Sequence, residues 1–367
     1  MMIKMGERGP KQKFLEISCP NEECRNFGRL GEQNIIANGT YQTKSGTVRK
    51  YKCKTCGRVF NDRTGTAYEH THLTKEEHNL IMACQANGVG VRRTADIVGC
   101  TVRTVQKRTK RGGEHVAKVS ASLESKGVAP ESLQFDELLY TLKKNMIFVG
   151  DHFKEDGDWI WTSFCATEKY LLGIVADGRG KAVCERIVNT ELNKLRRNHM
   201  PYFVTDGYRP YLTTLFKRYS YRVYNNGRGR PGSHLEPNSD FNYGVVEKTR
   251  LGKKLEKVRR YVAFGDVPEH LLNTSAIERQ NLTIRLFNAR IRRRTVTFGK
   301  SREAVQAGLD LFKGYYNLCI PHSSISIRKK ENGGKRVDVT PAMKLGLTDH
   351  VWGMTELMSF LYRQNIN

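Results

Sequence analysis

The sequence has no apolar run long enough to cross a membrane. The longest run, residues 170–176, is seven residues long, whereas a transmembrane helix needs about 20. Residues 1–13 are polar and basic and contain no apolar stretch. We therefore expect no secretory signal peptide and no membrane partner.

Cysteine is too sparse for a disulfide-stapled secreted domain, which would be small and rich in cysteine. The chain has 367 residues and nine cysteines, an odd number, and four of them form two short pairs. This pattern is typical of an intracellular protein that has one metal site and separate buried thiols. We expect a cytoplasmic protein.

Acidic residues are few relative to basic ones. Lys and Arg number 62 against 37 Asp and Glu, which gives a net charge of +25 and a pI of about 9.7. Such a balance indicates a polyanionic partner, and nucleic acid is the usual one. With 38% hydrophobic and 27% charged residues the chain is typical of a globular protein, and its length predicts two or three domains.

The paired cysteines have the spacing of a structural zinc site. One pair is Cys-x4-Cys and the other Cys-x2-Cys, with 28 residues between them, so each pair supplies two of four tetrahedral ligands. Four thiolates leave no open position for catalysis. His70 and His72 are possible substitute ligands, and four unrelated cysteines are the alternative to a metal site. The predicted zinc ligands, in a zinc-ribbon-like module over residues 14–66, are Cys19, Cys24, Cys53 and Cys56.

Residues 73–117 have the pattern of a helix-turn-helix DNA-binding domain. Thr74 precedes a helix with acidic residues in its first turn, glycines at 88 and 90 interrupt it, and Thr101 begins a third helix. Residues 101–118 carry six Lys or Arg and one acid, as expected for a helix that enters the major groove. A small helical bundle with a solvated basic face is the alternative. The predicted DNA contacts of this helix are Arg103, Lys107, Arg108 and Arg111.

The rest of the chain predicts an α/β domain. We expect a basic tail over residues 1–13, a linker over 118–131 and a flexible loop over 227–239. Strands alternate with helices from residue 132 onward, which is an α/β order. Strands are predicted at 133–140, 146–149, 159–166, 171–176, 202–205 and 219–224, and helices at 181–197, 208–217, after 275, and at 301–317.

Three acidic residues stand in unusual places. Asp136 lies inside an apolar strand, Asp206 ends a buried strand, and Glu278 begins a helix. A buried carboxylate is costly unless it is paired or binds a metal, and α/β sheets place ligands at the carboxyl ends of their strands. Two carboxylates on adjacent strands and one on a helix packed over them can hold two Mg²⁺ ions for phosphoryl displacement.

Each of these acids has another interpretation. Glu137 neighbours Asp136, but successive strand side chains point to opposite faces, so only one of them can join the site. Asp206 could belong to a turn alone, and Ser275 with Glu278 fits a capping box. Two further acids could substitute in another register, namely Asp151 and Asp177.

The order of these motifs resembles DDE transposases of the insertion-sequence-one family. The resemblance covers roughly residues 14–348, and its most specific parts are the Thr-Asp-Gly-aromatic-x-x-Tyr stretch at 205–211 and Ile-Glu-Arg-Gln-Asn at 277–281. It implies an RNase H-like catalytic core over 132–348. The chain departs from the family in its longer span between Asp206 and Glu278, and we interpret the basic segment at about 217–270 as an insertion that could grip DNA or a second subunit. A C-terminal helix is expected over 349–367.

The resemblance also implies the roles of residues and partners. Asp136, Asp206 and Glu278 would be the catalytic triad that binds Mg²⁺ or Mn²⁺, and the N-terminal modules would recognise the element's terminal repeats in double-stranded DNA. Because two ends are processed together, a homodimer or higher homo-oligomer is expected. A nucleoid-associated protein of a prokaryotic host is the expected setting.

A second basic cluster and one histidine complete the candidate residues. His322 is a possible active-site residue, although a lone histidine is usually structural. Residues 285–302 contain seven Lys or Arg and no acid, which favours phosphate neutralisation, with a solvated helix face as the alternative. The predicted DNA contacts in this cluster are Arg292, Arg293 and Arg294.

Two functions remain open from the sequence. The first is a DNA transposase that cleaves and joins strands with a metal ion. The alternative is a non-catalytic zinc and helix-turn-helix regulator whose C-terminal domain only dimerises. Asp136 distinguishes them, because a dimerisation sheet has no reason to keep a carboxylate on an apolar strand.

Overall fold

The chain forms two compact units in a computed structural model. One unit comprises Met1–Asn79 with Met358–Asn367, and the other is Leu80–Leu357. Within the described part of the chain, no helix is long and apolar enough to cross a bilayer. The structure describes residues 14–43, 45–140, 148–149, 152–153, 158–225, 232–252, 254–292, 297, 299–328 and 336–361.

The first unit has a small antiparallel sheet. Its strands follow the chain order, β1 (Ile35–Thr43), β2 (Gly46–Cys53) and β3 (Val59–Asn61). The Tyr51 ring lies between Phe14 and Phe60, with ring centroids 5.3 and 5.5 Å apart. These rings pack beside buried cysteines, so the apolar core of the unit is small and adjoins its thiols.

Three helices follow, and their ends have the capping expected from the sequence. They are α1 (Lys75–Ala86), α2 (Val91–Val98) and α3 (Val102–Glu124). The Thr74 hydroxyl accepts the N–H of Glu77, whose carboxylate accepts the N–H of Thr74, a reciprocal capping box. Gly99 ends α2 with a φ of 71°, and the Thr101 hydroxyl caps α3. The predicted helix starts at Thr74 and Thr101 are therefore confirmed.

Helix α3 continues through the first half of the predicted linker, 118–131, and that prediction is wrong for residues 118–124. This end of the helix is buried in the second unit. The Glu124 carboxylate is paired with Lys313 Nζ at 2.7 Å and accepts the Tyr170 hydroxyl at 2.8 Å. The polar sequence looked like a linker because its charges find their partners more than 40 residues away.

The second unit is built on a six-stranded mixed sheet. Its order is β13-β12-β9-β4-β7-β8, in which β4, β7 and β8 are antiparallel, β9 runs parallel to both β4 and β12, and β12 and β13 form a hairpin. The strands from β4 onward are β4 (Ser132–Tyr140), β5 (Phe148–Val149), β6 (His152–Phe153), β7 (Asp158–Cys165), β8 (Tyr170–Asp177), β9 (Tyr202–Asp206), β10 (Ser220–Asn225), β11 (Gly232–Pro237), β12 (Tyr243–Leu251), β13 (Lys254–Phe264), β14 (Ile327–Arg328) and β15 (Arg336–Val337).

Helices cover both faces of this sheet. Ile277 and Ile284 of α6, with Leu309 and Phe312 of α7, share one core with β4, β7 and β8, whereas α5 places Tyr211 against the opposite face. The helices are α4 (Lys181–Leu192), α5 (Arg209–Arg218), α6 (Ser275–Phe287), α7 (Arg302–Cys319), α8 (Pro341–Lys344) and α9 (Met354–Ser359), with a 3₁₀ turn at Glu269–Leu271.

Most predicted strands and helices of the α/β region coincide with observed elements, within one to five residues. The loop predicted at 227–239 is wrong in part, because Gly232–Pro237 pairs as β11 with β10. Residues 146–147 of one predicted strand lie outside the described residues. Of the predicted C-terminal helix, α9 forms Met354–Ser359, and residues 362–367 are not described.

Helices α3 and α7 approach each other closely because each presents a glycine. A Cβ on Gly113 would stand 2.0 Å from the carbonyl oxygen of Ala307, and one on Gly314 would stand 2.1 Å from Val116 Cγ1. A larger residue at position 113 would clash with the backbone of α7, and one at position 314 would have to displace the Val116 side chain. The basic helix is therefore packed directly onto the α/β core.

We expect Lys313→Met to lower the free energy of unfolding by about 3 kcal/mol, because it removes the closest partner of a buried carboxylate. Urea titration would measure the loss. Lys110→Met is the matched control, since Lys110 pairs with Glu114 at 3.8 Å on the surface and such pairs contribute less than about 1 kcal/mol. Equal effects of the two substitutions would contradict a structural role for the buried pair.

Candidate functional site

The four paired cysteines converge at the edge of the small sheet. Cys53 ends β2, and the other thiols come from the loops on either side. All four sulfur atoms lie within 4.8 Å of one another, with Sγ–Sγ distances of 3.6 Å (Cys19 to Cys56) and 3.9 Å (Cys24 to Cys53). A tetrahedron with Zn–S bonds of about 2.3 Å has edges of roughly 3.8 Å. The cluster is compatible with zinc binding.

Backbone N–H groups favour the thiolate form of two of the cysteines: the N–H of Arg58 lowers the pKa of Cys56, and the pKa of Cys53 is lowered as well. Burial opposes ionisation of Cys53, but backbone N–H groups of Cys56 and Thr55 outweigh it and lower the pKa to about 6. The Asn34 amide also donates to this sulfur at 3.2 Å. Burial raises the pKa of Cys19, so a cation is needed to ionise the full set.

The two aspartates are brought together by the pairing of β4 with β9. The strands are parallel, with Phe135 opposite Thr205, so the next residues, Asp136 and Asp206, lie side by side on one face. We call these two residues the acid row. From β4 the chain continues to β7 and β8 on one side and reaches β9 and β12 on the other, a topological switch point where α/β sheets bind ligands.

Gln134 fixes the start of α6 over the acid row. Its side-chain oxygen accepts the N–H of Ile277 at 3.1 Å, and its amide donates to the Asn273 carbonyl at 2.7 Å. Gln134 lies on the same face of β4 as Asp136, because the two are two residues apart in a strand. The first turn of α6 is therefore held above the carboxylate.

Asn281 joins α6 to Asp136 directly. Its amide donates to Asp136 Oδ2 at 2.7 Å, and its oxygen accepts the Thr162 hydroxyl at 3.1 Å. Glu278 precedes Asn281 by three residues, so both side chains lie on one face of the helix. Asn281 belongs to the Ile-Glu-Arg-Gln-Asn motif at 277–281, but nothing in the sequence indicates this contact.

Glu278 does not form the capping box with Ser275 that was the alternative to a functional role. The Ser275 N–H and hydroxyl both bond to the Asn273 side-chain oxygen. The Glu278 carboxylate instead accepts the Thr274 hydroxyl at 2.6 Å and is paired with Lys248.

The acids raise one another's pKa. Burial, together with the charges of Glu137, Asp206 and Glu278, raises the pKa of Asp136 to about 8. Burial also raises the pKa of Asp206; the Tyr208 N–H and nearby cations oppose it, and Glu278 adds to it. A divalent cation would relieve this repulsion, and the oxygen ligands suit Mg²⁺.

The carboxylate oxygens of Asp136, Asp206 and Glu278 nevertheless do not all lie within 4.8 Å of one another. Among the described residues, the four thiols form the only set of three or more His, Cys, Asp or Glu ligands whose donor atoms all lie within 4.8 Å. Lys248 and Thr274 hold the carboxylate of Glu278, the acid that completes the triad.

Glu137 belongs to the opposite face of β4. Its side chain is 4% exposed, accepts the Tyr211 hydroxyl at 2.8 Å and pairs with Arg179 at 2.6 Å. The Arg179 guanidinium also lies over the rings of Trp159 and Tyr208, 4.3 and 4.8 Å from their centroids. The substitute candidate Asp177 is paired with two arginines, Arg186 and Arg302. Asp151 lies outside the described residues.

The predicted DNA contacts of α3 divide into two groups. Arg103 and Lys107 are exposed, and Arg111 is half-buried. Arg108 is only 3% exposed, and burial followed by the charge of Arg111 lowers its pKa. Arg108 is therefore less accessible to DNA than Arg103 and Lys107, and its contact with DNA stays a prediction.

Of the remaining candidates, the structure describes Arg292 and His322, and both bond to neighbouring protein groups. Arg292 donates to the carbonyls of Leu286 and Gly88 at 2.7 and 3.3 Å, so its guanidinium bonds to the backbone. Arg293 and Arg294 lie outside the described residues. Burial and nearby cations lower the pKa of His322, and its ring nitrogen bonds to the Ser324 hydroxyl at 2.9 Å.

Comparisons with known proteins add little to this geometry. No protein-family model matches the chain, and no curated protein does. Among solved structures, the chain is similar to a piggyBac transposase in a synaptic complex with hairpin DNA, at 11% identity and a TM-score of 0.34. The match covers 82% of this chain and 72% of that chain. A TM-score this low supports no conclusion, and the resemblance to the insertion-sequence-one family stays a prediction.

We expect the protein to bind one equivalent of zinc and Cys53→Ser to lose it, because three thiolates leave the tetrahedron incomplete. Metal analysis after dialysis would measure the content. Cys84→Ser is the control, since Cys84 is a free cysteine outside the cluster and its loss should leave zinc in place. Full zinc retention by Cys53→Ser would contradict the assignment.

We expect Asp136→Asn to raise the stability of metal-free protein more at pH 8 than at pH 5. The folded pKa of about 8 lies above the usual 3.8, so ionisation of Asp136 destabilises the folded state as the pH rises through this interval. The advantage of the variant should grow by roughly 3 to 4 kcal/mol between the two pH values.

Urea titration in EDTA at both pH values would measure this advantage. Asp266→Asn, at an exposed position, should show no such change. A difference between Asp136→Asn and wild type that is the same at both pH values would contradict the buried, repelled state of Asp136.

Proposed function

We propose that the protein is a DDE transposase that cleaves and joins DNA strands with a divalent metal. The observation that carries the proposal is the acid row with α6 above it. Asp136 and Asp206 are neighbours on parallel strands, Asn281 bonds to Asp136, and Glu278 lies on the same face of the helix one turn earlier. This is the arrangement of two strand carboxylates and one helix carboxylate that the sequence predicts.

The mixed sheet also supports the RNase H-like core that the family resemblance implies. Strands β4, β7 and β8 are successive antiparallel neighbours, and β9 adds in parallel on the other side of β4. This order makes β4 a central strand, with the carboxylate of Asp136 beside the topological switch point between β4 and β9. The charge of +25 is consistent with a DNA substrate.

The protein groups have distinct tasks in this proposal. Asn281 and the Glu137 N–H each donate to one oxygen of Asp136 and orient its carboxylate, and the Tyr208 N–H does the same for Asp206. Thr274 positions Glu278. Mg²⁺ or Mn²⁺, held by the three acids, would supply the Lewis acid that activates water or a 3′-hydroxyl and stabilises the leaving oxygen.

The N-terminal elements have the recognition role in this proposal. The exposed Arg103 and Lys107 near the start of α3 would meet the terminal repeats, and the four-cysteine cluster would stabilise a small unit that has little apolar core. Two element ends must be processed together, so we expect a dimer or a larger assembly.

The regulator alternative accounts less well for the acid row. A domain that only dimerises gains nothing from buried carboxylates that raise one another's pKa, because each of them costs folding free energy.

We expect Asp136→Asn, Asp206→Asn and Glu278→Gln each to lower Mg²⁺-dependent nicking of supercoiled plasmid by on the order of a thousandfold. Loss of one ligand removes several kcal/mol of metal stabilisation. Duplex binding should be unchanged or tighter, because an acid that repels phosphate has been neutralised.

Asp240→Asn, at an exposed position, is the control and should nick at the wild-type rate. Wild-type nicking by Asp206→Asn would reject the active-site assignment. An absence of nicking in the wild type under these conditions, combined with tight duplex binding, would favour the regulator.

A further inference from the structure

The hairpin of β12 and β13 extends beyond the sheet. Pairing of β12 with β9 ends at Val246 opposite Asp206, whereas its pairing with β13 continues to Leu251 opposite Lys254. The strands past this point have only each other as neighbours in the sheet. We call residues 248–260 the ribbon.

The ribbon is strongly basic. Its sequence contains seven Lys or Arg and one acid, Glu256. The cations that the structure describes as exposed are spread along the strand, on both faces, and include Lys254, Lys257, Arg259 and Arg260. Surface charge of one sign at this density is unfavourable unless a polyanion covers it.

One face of the ribbon continues the face that carries the acid row. Residues in register across a sheet share a face, and Asp206 is opposite Val246, which is opposite Arg260. Arg260 is therefore two strands from Asp206, or about 10 Å at roughly 4.8 Å per strand. Lys248 lies two residues beyond Val246 on this face and contacts Glu278. On this face of the sheet, the basic side chains of the ribbon therefore lie next to the carboxylates.

We propose that the ribbon is a DNA-binding arm that holds the phosphate backbone of duplex DNA beside the acid row. The inference rests on the proposed function and adds the surface that presents the duplex to the site. A two-stranded ribbon fits the major groove, which is about 12 Å wide.

A second copy of the chain is a poorer occupant of this surface. Lysine is depleted from the cores of protein interfaces, and two such ribbons would repel each other. Two large apolar side chains in the described part of the ribbon are exposed, Leu251 at 74% and Leu255 at 45%, which is too little apolar surface for the core of a dimer interface. DNA therefore matches the charge and the shape better than a second ribbon does.

The test compares two triple variants in the Asp136→Asn background, so that no cleavage is needed. The ribbon variant is Lys254→Ala, Lys257→Ala and Arg260→Ala. The control is Lys126→Ala, Arg196→Ala and Arg197→Ala, which removes the same charge from three exposed positions away from the ribbon. Fluorescence anisotropy with duplex DNA over a series of salt concentrations would give the affinity and its salt slope, and thermal melting would verify folding.

We expect the ribbon variant to bind duplex at least tenfold more weakly than the control. Its salt slope should fall by about 2 to 3, at roughly 0.9 per lost phosphate contact. Equal affinity and equal slope in the two variants would overturn the proposal. The proposal would also be overturned if light scattering showed that the ribbon variant, but not the control, no longer dimerises while it keeps its affinity for duplex DNA.

The outcomes also separate this inference from the proposed function. Nicking that survives in Asp136→Asn would reject the active site and leave the ribbon result standing. Unchanged binding by the ribbon variant would reject the arm and leave the nicking result standing.

Discussion

Burial of the Asp136 carboxylate on a central strand is the constraint on which the rest of the α/β unit depends. A charge at this depth is tolerated only if hydrogen bonds or a cation compensate it. Asn281 of α6 and a backbone N–H supply the hydrogen bonds. Gln134 then fixes the first turn of that helix to the same strand, so the position of α6 follows from the residues beside Asp136.

The acids on the two faces of β4 have different partners. Glu137 is paired with Arg179 and accepts a tyrosine hydroxyl, which makes it part of the packing between the sheet and α5. Asp136 meets an amide and other carboxylates. One strand thus carries an acid paired with an arginine on one face and an acid held by neutral donors on the other, and the second is the one that a metal ion would stabilise.

Much of the fold was predictable because the patterns that define it are local. Short apolar segments located β4, β7, β8 and β9, and the threonines before α1 and α3 marked helix starts. The residues chosen as candidates for the acidic site also came from local context, because a carboxylate in an apolar strand is conspicuous in a sequence.

The errors concern partners that are distant in the chain. The residues before 125 have the polar composition of a linker, and their burial depends on the pairing of Glu124 with Lys313. Nothing local signals that Arg108 is buried among exposed cations. The contact of Lys248 with Glu278 depends on the register of three strands. Spacing in the sequence could not supply that register, although the basic character of the insertion was visible.

Helix α3 runs without a break from the exposed Arg103 to the buried Glu124, and Gly113 seats its middle against α7. Its 23 residues span about 34 Å, close to one turn of B-DNA. Such a helix is rigid, so a rotation of one end also rotates the other. If the exposed end of α3 contacts bases, the rigid helix fixes the distance from those bases to the phosphate at the acid row. Moving the bases by half a helical turn would then turn the opposite side of the duplex toward the acid row.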